Sequence, residues 1–233
     1  MEAWLEFARG PLFRIAFFLM ALGLLRHLVL TLYNVWRGMR RAGDKNLPWK
    51  TIFINTMKWL FPFKNLNNRL WYSITSVLFH VGLILTPIFL MAHIALWERV
   101  LGFGWPGLGR SAADALTLLT VVTGIMLIIG RAASRESRAL SRFQDYALPP
   151  LLLVPFVSGF LAMHPSINPF SYTGSMLVHA LSGDLILILI PFTKLAHMVL
   201  LPTTQLVSEV GWHFPPDQGV NVGIALHKEN EPV

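Results

Sequence analysis

The chain has 233 residues, 54% of them hydrophobic and only 13% charged, with a mean hydropathy of +0.55. A soluble domain carries about 25% charged residues, so the composition marks a membrane protein. The absence of cysteine excludes disulfides, thiolate-bound iron–sulfur clusters and covalently attached c-type haem, and the formal charge of +7 sits between apolar stretches, as topology signals do, rather than forming a nucleic-acid patch.

Met1 to Arg14 reads as a short amphipathic lead with Trp4 and Phe7 at a membrane interface. It lacks the basic start and small-residue cleavage site of a signal peptide, so the first apolar segment is expected to stay as an anchor. The first span is predicted from about Phe13 to Trp36, with Arg26 and His27 inside it. Residues 37–69 form a basic loop in which TIFINTMKWLFPF is expected to make a short interfacial helix. The second span follows from about Leu70 to Trp97, opened by Trp71 and Tyr72. The third runs from about Ala112 to Gly130 and the fourth, rich in proline, from about Ala147 to Met163. The fifth, Ser175 to Pro202, is read as one long helix. Residues 1–205 are taken as one transmembrane domain and 206–233 as a cytoplasmic polar tail.

Spans this apolar must be helices, because a barrel strand would alternate in polarity. The predicted fold class is therefore all-α, an integral membrane five-helix bundle. The loops at 37–69 and 131–146 hold twelve basic residues, while those at 98–111 and 164–174 hold only Arg99 and Arg110. The positive-inside bias places the first two loops in the cytoplasm, the N-terminus outside and the C-terminus cytoplasmic. The expected location is the cell inner (cytoplasmic) membrane, multi-pass. No internal repeat, GxGxxG, P-loop or catalytic triad pattern is present.

Four histidines carry the chemistry. His179 and His197 are eighteen residues apart, which on one straight helix is five whole turns and roughly 27 Å, so both rings would leave one face near opposite membrane surfaces. The second span offers His80 toward the inside and His93 toward the outside. Two depth-matched pairs follow, His93 with His179 and His80 with His197. On a straight helix His80 and His93 fall out of phase, and Pro87 between them can kink the helix and free a carbonyl. Paired imidazoles with no thiolate suit two b-type haems held non-covalently. The bland alternative is one interfacial histidine and others satisfied by hydrogen bonds.

The fifth span resembles the last ligand helix of the di-haem cytochrome b family typified by the gamma subunit of respiratory nitrate reductase. That helix reads His, eleven residues, Pro-Phe-Ser/Thr-Lys/Arg-Leu, one residue, His, then proline. Here the pattern is His179, Pro191, Phe192, Thr193, Lys194, Leu195, His197 and Pro202. SVLFHVG around His80 is similar to the family's inner ligand on its second helix, whereas His93 lies about three residues beyond the family's outer ligand. The resemblance covers roughly residues 13–205. It implies two b haems and oxidation of a quinol (menaquinol or ubiquinol) near the outer haem. It also implies electron delivery to a cytoplasmic iron–sulfur or catalytic redox subunit. Such a chain is a subunit of a quinol-dependent oxidoreductase, not a self-sufficient enzyme.

Lys194 is then expected to snorkel to the surface or to meet a propionate of the inner haem. Asp184, a carboxylate at membrane depth, is expected to take a quinol proton, bond a ligand histidine or pair with Arg26 or His27. Arg110 falls where the resemblance places a basic quinone-site residue; its plain alternative is an interfacial anchor. His164 is expected to be solvated or near the quinone mouth, and His213 and His227 to be surface residues. Two other readings fit the same residues. One is a cytochrome b subunit of a sulfur-cycle or heterodisulfide-reductase-type complex, with electrons flowing to quinone or from an outer cytochrome c. The other is a haem-free membrane anchor or transporter.

Overall fold

The computed structural model describes residues 1–41, 47–60, 70–212 and 223–227. These are helical almost throughout, with no β-strand among the described residues. In chain order the helices are α1 (Glu2–Phe7), a π-helical turn (Ala8–Leu12), α2 (Phe13–Arg41), α3 (Trp49–Leu60), α4 (Leu70–Phe89) and α5 (Met91–Leu101). Then come α6 (Arg110–Ala133), α7 (Arg135–Leu140), α8 (Phe143–Met163), α9 (Tyr172–Leu189), two 3-10 turns (Ile190–Phe192 and Lys194–Ala196) and α10 (His197–Trp212). Five helical stretches among the described residues are long and apolar enough to cross a bilayer: Glu2–Arg40, Leu70–Phe89, Arg110–Ala133, Phe143–Met163 and Tyr172–Phe192. Large apolar side chains such as Ile15, Phe18, Leu22 and Val29 on α2 point outward, which water would penalise and lipid does not.

Two predicted helices are broken. The second span is predicted from about Leu70 to Trp97, with Pro87 able to kink it. Instead α4 stops at Phe89, Leu90 is extended with φ −71° and ψ 125°, and α5 restarts at Met91. The last carbonyls of a helix lack partners inside it, and here three find them elsewhere. The Pro87 carbonyl accepts from His93 Nδ1 at 3.1 Å, Ile88 from Trp105 Nε1 at 2.9 Å, and Phe89 from the Leu108 amide at 2.8 Å. The fifth span is also not one helix. α9 ends at Leu189 and the Pro-Phe-Thr-Lys stretch winds as 3-10 turns before α10 begins at His197. Pro191 cannot donate a helical hydrogen bond, and Thr193 is extended, its hydroxyl accepting from the Leu195 amide. The count of five whole turns between His179 and His197 therefore does not apply.

The chain divides into two compact units, residues 1–20 with 66–189 and residues 21–65 with 190–233. In the first unit α4 packs on α6, α6 on α8 and α8 on α9, while α1 and the π turn pack on α9. Small residues let the helices approach. Gly82 lies against Thr120 and the Leu116 carbonyl, and Gly124 against Leu153 and Phe79. Hydroxyls that face this apolar interior return to their own helix: Thr75, Thr120, Thr123, Ser158 and Ser182 each donate to the carbonyl four residues back, at 2.6–2.7 Å.

In the second unit α3 packs on α10 around Leu47, Ile52 and Val210. Asn55 on α3 donates to Glu209 on α10 at 3.3 Å. The break in the fifth span is docked on α2. Gly23 lies against the Pro191 ring, and one turn on, His27 Nε2 donates to the Pro191 carbonyl at 2.8 Å. The expected interfacial helix is α3, starting two residues earlier than its predicted segment; residues 61–63 of that segment lie outside the described residues. So do Lys45, Lys64 and Arg69 of the basic loop, and His213, Pro215 and Pro216 of the expected tail. His227 is exposed.

Candidate functional site

Two broken or proline-bearing helices set the site. α8 contains Pro155, whose carbonyl accepts from His179 Nδ1 of α9 at 2.7 Å. The α4–α5 break swings His93 back so that its Nδ1 reaches the Pro87 carbonyl. A carbonyl can only accept, so each Nδ1 carries the proton, and a neutral ring is left with a bare Nε2 lone pair. The two Nε2 atoms face each other at 3.5 Å. The rings are nearly parallel, 18° apart, with centroids 5.7 Å apart. Two lone pairs aimed at each other repel. A proton between them would put a positive charge among apolar helices, whereas a metal ion accepting both lone pairs removes the conflict without that charge on the rings.

The residues fit a metal centre that His93 and His179 would hold through Nε2. Metal–imidazole bonds are about 2.0 Å, so a metal between opposed rings needs the nitrogens about 4 Å apart, close to the spacing found. The hydrogen bonds from Nδ1 to backbone carbonyls are the outer contacts that orient ligating histidines and raise their basicity. Gly159 on α8 supplies room: a Cβ there would stand 2.7 Å from His179 Nδ1. Among the described residues no three His, Cys, Asp or Glu side chains converge.

The other two predicted ligands show the same orientation device. His80 Nδ1 bonds the Ser76 carbonyl at 2.7 Å, and His197 Nδ1 bonds the Lys194 carbonyl at 2.9 Å. His80 belongs to the first unit and His197 to the second. Lys194 lies on the second 3-10 turn with its side chain exposed.

Asp184 is only 4% exposed, and its Oδ2 has no hydrogen-bond partner; Thr86 Oγ1 on α4 is the other buried side-chain oxygen so placed among the described residues. Of the roles expected for Asp184, the structure therefore shows no bond to a ligand histidine. Arg110 opens α6 and donates to the Met163 carbonyl at the end of α8, 3.1 Å away. One turn on, Asp114 meets His164 Nε2 at 3.4 Å, while His164 Nδ1 bonds the Phe160 carbonyl. His164 is thus paired with Asp114 while staying partly exposed. Asp114 and Gly159 escaped sequence reasoning; Asp114 sits one turn after Arg110, a spacing that could have drawn attention to it.

The described fold is all-helical, with five helices fit to span a membrane. No family model matches the chain, and no solved structure matches it. It is similar to a protein of Nitratidesulfovibrio vulgaris (strain Hildenborough) described only as "Protein". The two are 36% identical over 148 residues, 63% of this chain and 64% of the relative. The matched part thus spans just under two thirds of that relative's length.

Proposed function

We propose that the chain is a membrane cytochrome b subunit of a respiratory oxidoreductase complex. It passes electrons between a membrane quinone and a partner redox subunit through two b haems, one of them held by His93 and His179, with His80 and His197 as the further ligand candidates. The reading rests above all on the opposed, proton-free Nε2 atoms of His93 and His179 at 3.5 Å. When bound, iron porphyrin supplies reversible one-electron chemistry that no side chain here offers. The chain's own residues fix the imidazole tautomers, exclude water and set the depth of each centre. Arg110 and the Asp114–His164 pair gather at the ends of α6 and α8, which suits a polar mouth for a quinol head group. The bundle is placed in the inner membrane, N-terminus outside, with the basic loops facing a cytoplasmic iron–sulfur or catalytic partner.

The test is direct. The chain purified in detergent is titrated anaerobically with a reduced short-chain quinone. Appearance of a reduced b-type band supports the reading. A haem band that dithionite reduces but neither quinol nor menaquinol analogues reduce would remove the quinone from it. Absence of any haem would favour the anchor or transporter alternative.

A further inference from the structure

Arg9 stands outside everything assigned so far. It lies on the π-helical turn Ala8–Leu12, where Pro11 has no N–H to continue the α-helical ladder and the chain widens. Such turns are rare and recur at functional sites. This one is pinned: Ala8 and Leu5 are buried, and the turn packs on α9. The half-buried Arg9 side chain points along α9, its Nη2 3.4 Å from the Tyr172 hydroxyl. Tyr172 precedes His179 by seven residues, two turns, so the two share one face of α9 roughly 10 Å apart along its axis.

What Arg9 lacks is an anion. Its hydrogen-bond partner among the described residues is a neutral phenol. A planar guanidinium is the side chain best suited to grip carboxylates.

We propose that Arg9, steadied by Tyr172, receives the carboxylate side groups of the porphyrin clasped by His93 and His179. The inference rests on the cytochrome reading above and adds to it the residue that sets the rotation and redox poise of the outer group. Two turns of α9 match the reach of such a macrocycle from its metal to its carboxylate arms. A fixed positive charge at those arms favours the reduced, more negative state of the centre.

The experiment is a redox titration of the full-length membrane protein, followed by visible spectroscopy, on wild type, Arg9→Gln, Arg9→Lys and Tyr172→Phe. His179→Ala identifies which step belongs to the outer group. Arg9→Gln should shift the outer group's oxidised-to-reduced ratio at fixed potential roughly tenfold toward oxidised, about 59 mV for one electron. The inner group should not move, which also reports that the variant is folded. Arg9→Lys should fall between Gln and wild type, and Tyr172→Phe should shift in the same direction by less. Two b haems with an outer potential unchanged in Arg9→Gln would overturn this inference and leave the cytochrome reading intact. A wild-type protein without b haem would overturn both.

Discussion

At the scale of single residues, the four candidate ligands share one feature: each donates Nδ1–H to a backbone carbonyl. That bond decides the tautomer and so which nitrogen is basic. His27 does the reverse, using Nε2 on the Pro191 carbonyl, which fits a positioning role on the break and not ligation. His179→Ala and His197→Ala should each remove one haem and keep the other, read as haem per chain by pyridine haemochrome; retention of both haems in either variant contradicts the pairing. Gly159→Val should act like a mild form of His179→Ala. Even a bare Cβ falls 2.7 Å from the ring, so the imidazole must swing off its axis and the outer haem should be lost preferentially on dilution. The histidines were legible in the sequence because charged or polar groups are few inside apolar spans. Gly159 and Arg9 were not, because their roles depend on which helix lies opposite, and neighbour identity is not encoded in local periodicity.

At the scale of elements, the informative features are the places where helices stop. Hydropathy located the five apolar stretches, since a bilayer demands long apolar helices, and placed the third and fourth to within a few residues. It could not see that Leu90 turns extended or that Pro191 to Ala196 winds as 3-10 turns. These interruptions persist because carbonyls released by them are bonded by groups far along the chain: Trp105 to Ile88, and His27 to Pro191. Pro87 did suggest a kink, though the break falls three residues later. The break moves His93 onto a separate helix, so its phase relative to His80 on a straight helix carries no weight. Trp105→Phe should remove the indole donor from the Ile88 carbonyl, and because this bond is exposed the cost should fall below the about 1–3 kcal/mol of a buried unpaired group. It should also loosen the α4–α5 corner, seen as a lower thermal midpoint in detergent and weakened outer haem. A midpoint unchanged in Trp105→Phe would mean that the indole hydrogen bond does not hold the corner. His27→Phe removes a part-buried donor at the second break, should cost about 1–3 kcal/mol, and should leave the outer haem in place.

At the scale of the whole molecule, the distribution of Arg and Lys gives a topology that can be read independently of any cofactor. The chain has no cysteine, so single introduced thiols are clean reporters. A membrane-impermeant reagent applied from outside intact cells should label Gly104→Cys and Ile167→Cys and miss Ser137→Cys; the opposite pattern inverts the bundle. Fold class was legible from composition because the hydrocarbon core permits few architectures. The division into two units was not, since it depends on α2 and the fifth span changing partners part-way along. The central claim is that His93 and His179 ligate an iron porphyrin, and haem stoichiometry tests it most directly. The purified protein is assayed by reduced-minus-oxidised spectra and pyridine haemochrome, beside His93→Ala and His179→Ala. The account predicts two low-spin b haems per wild-type chain and one in each variant. No b-type band in the wild type, or two haems surviving in both variants, would contradict it.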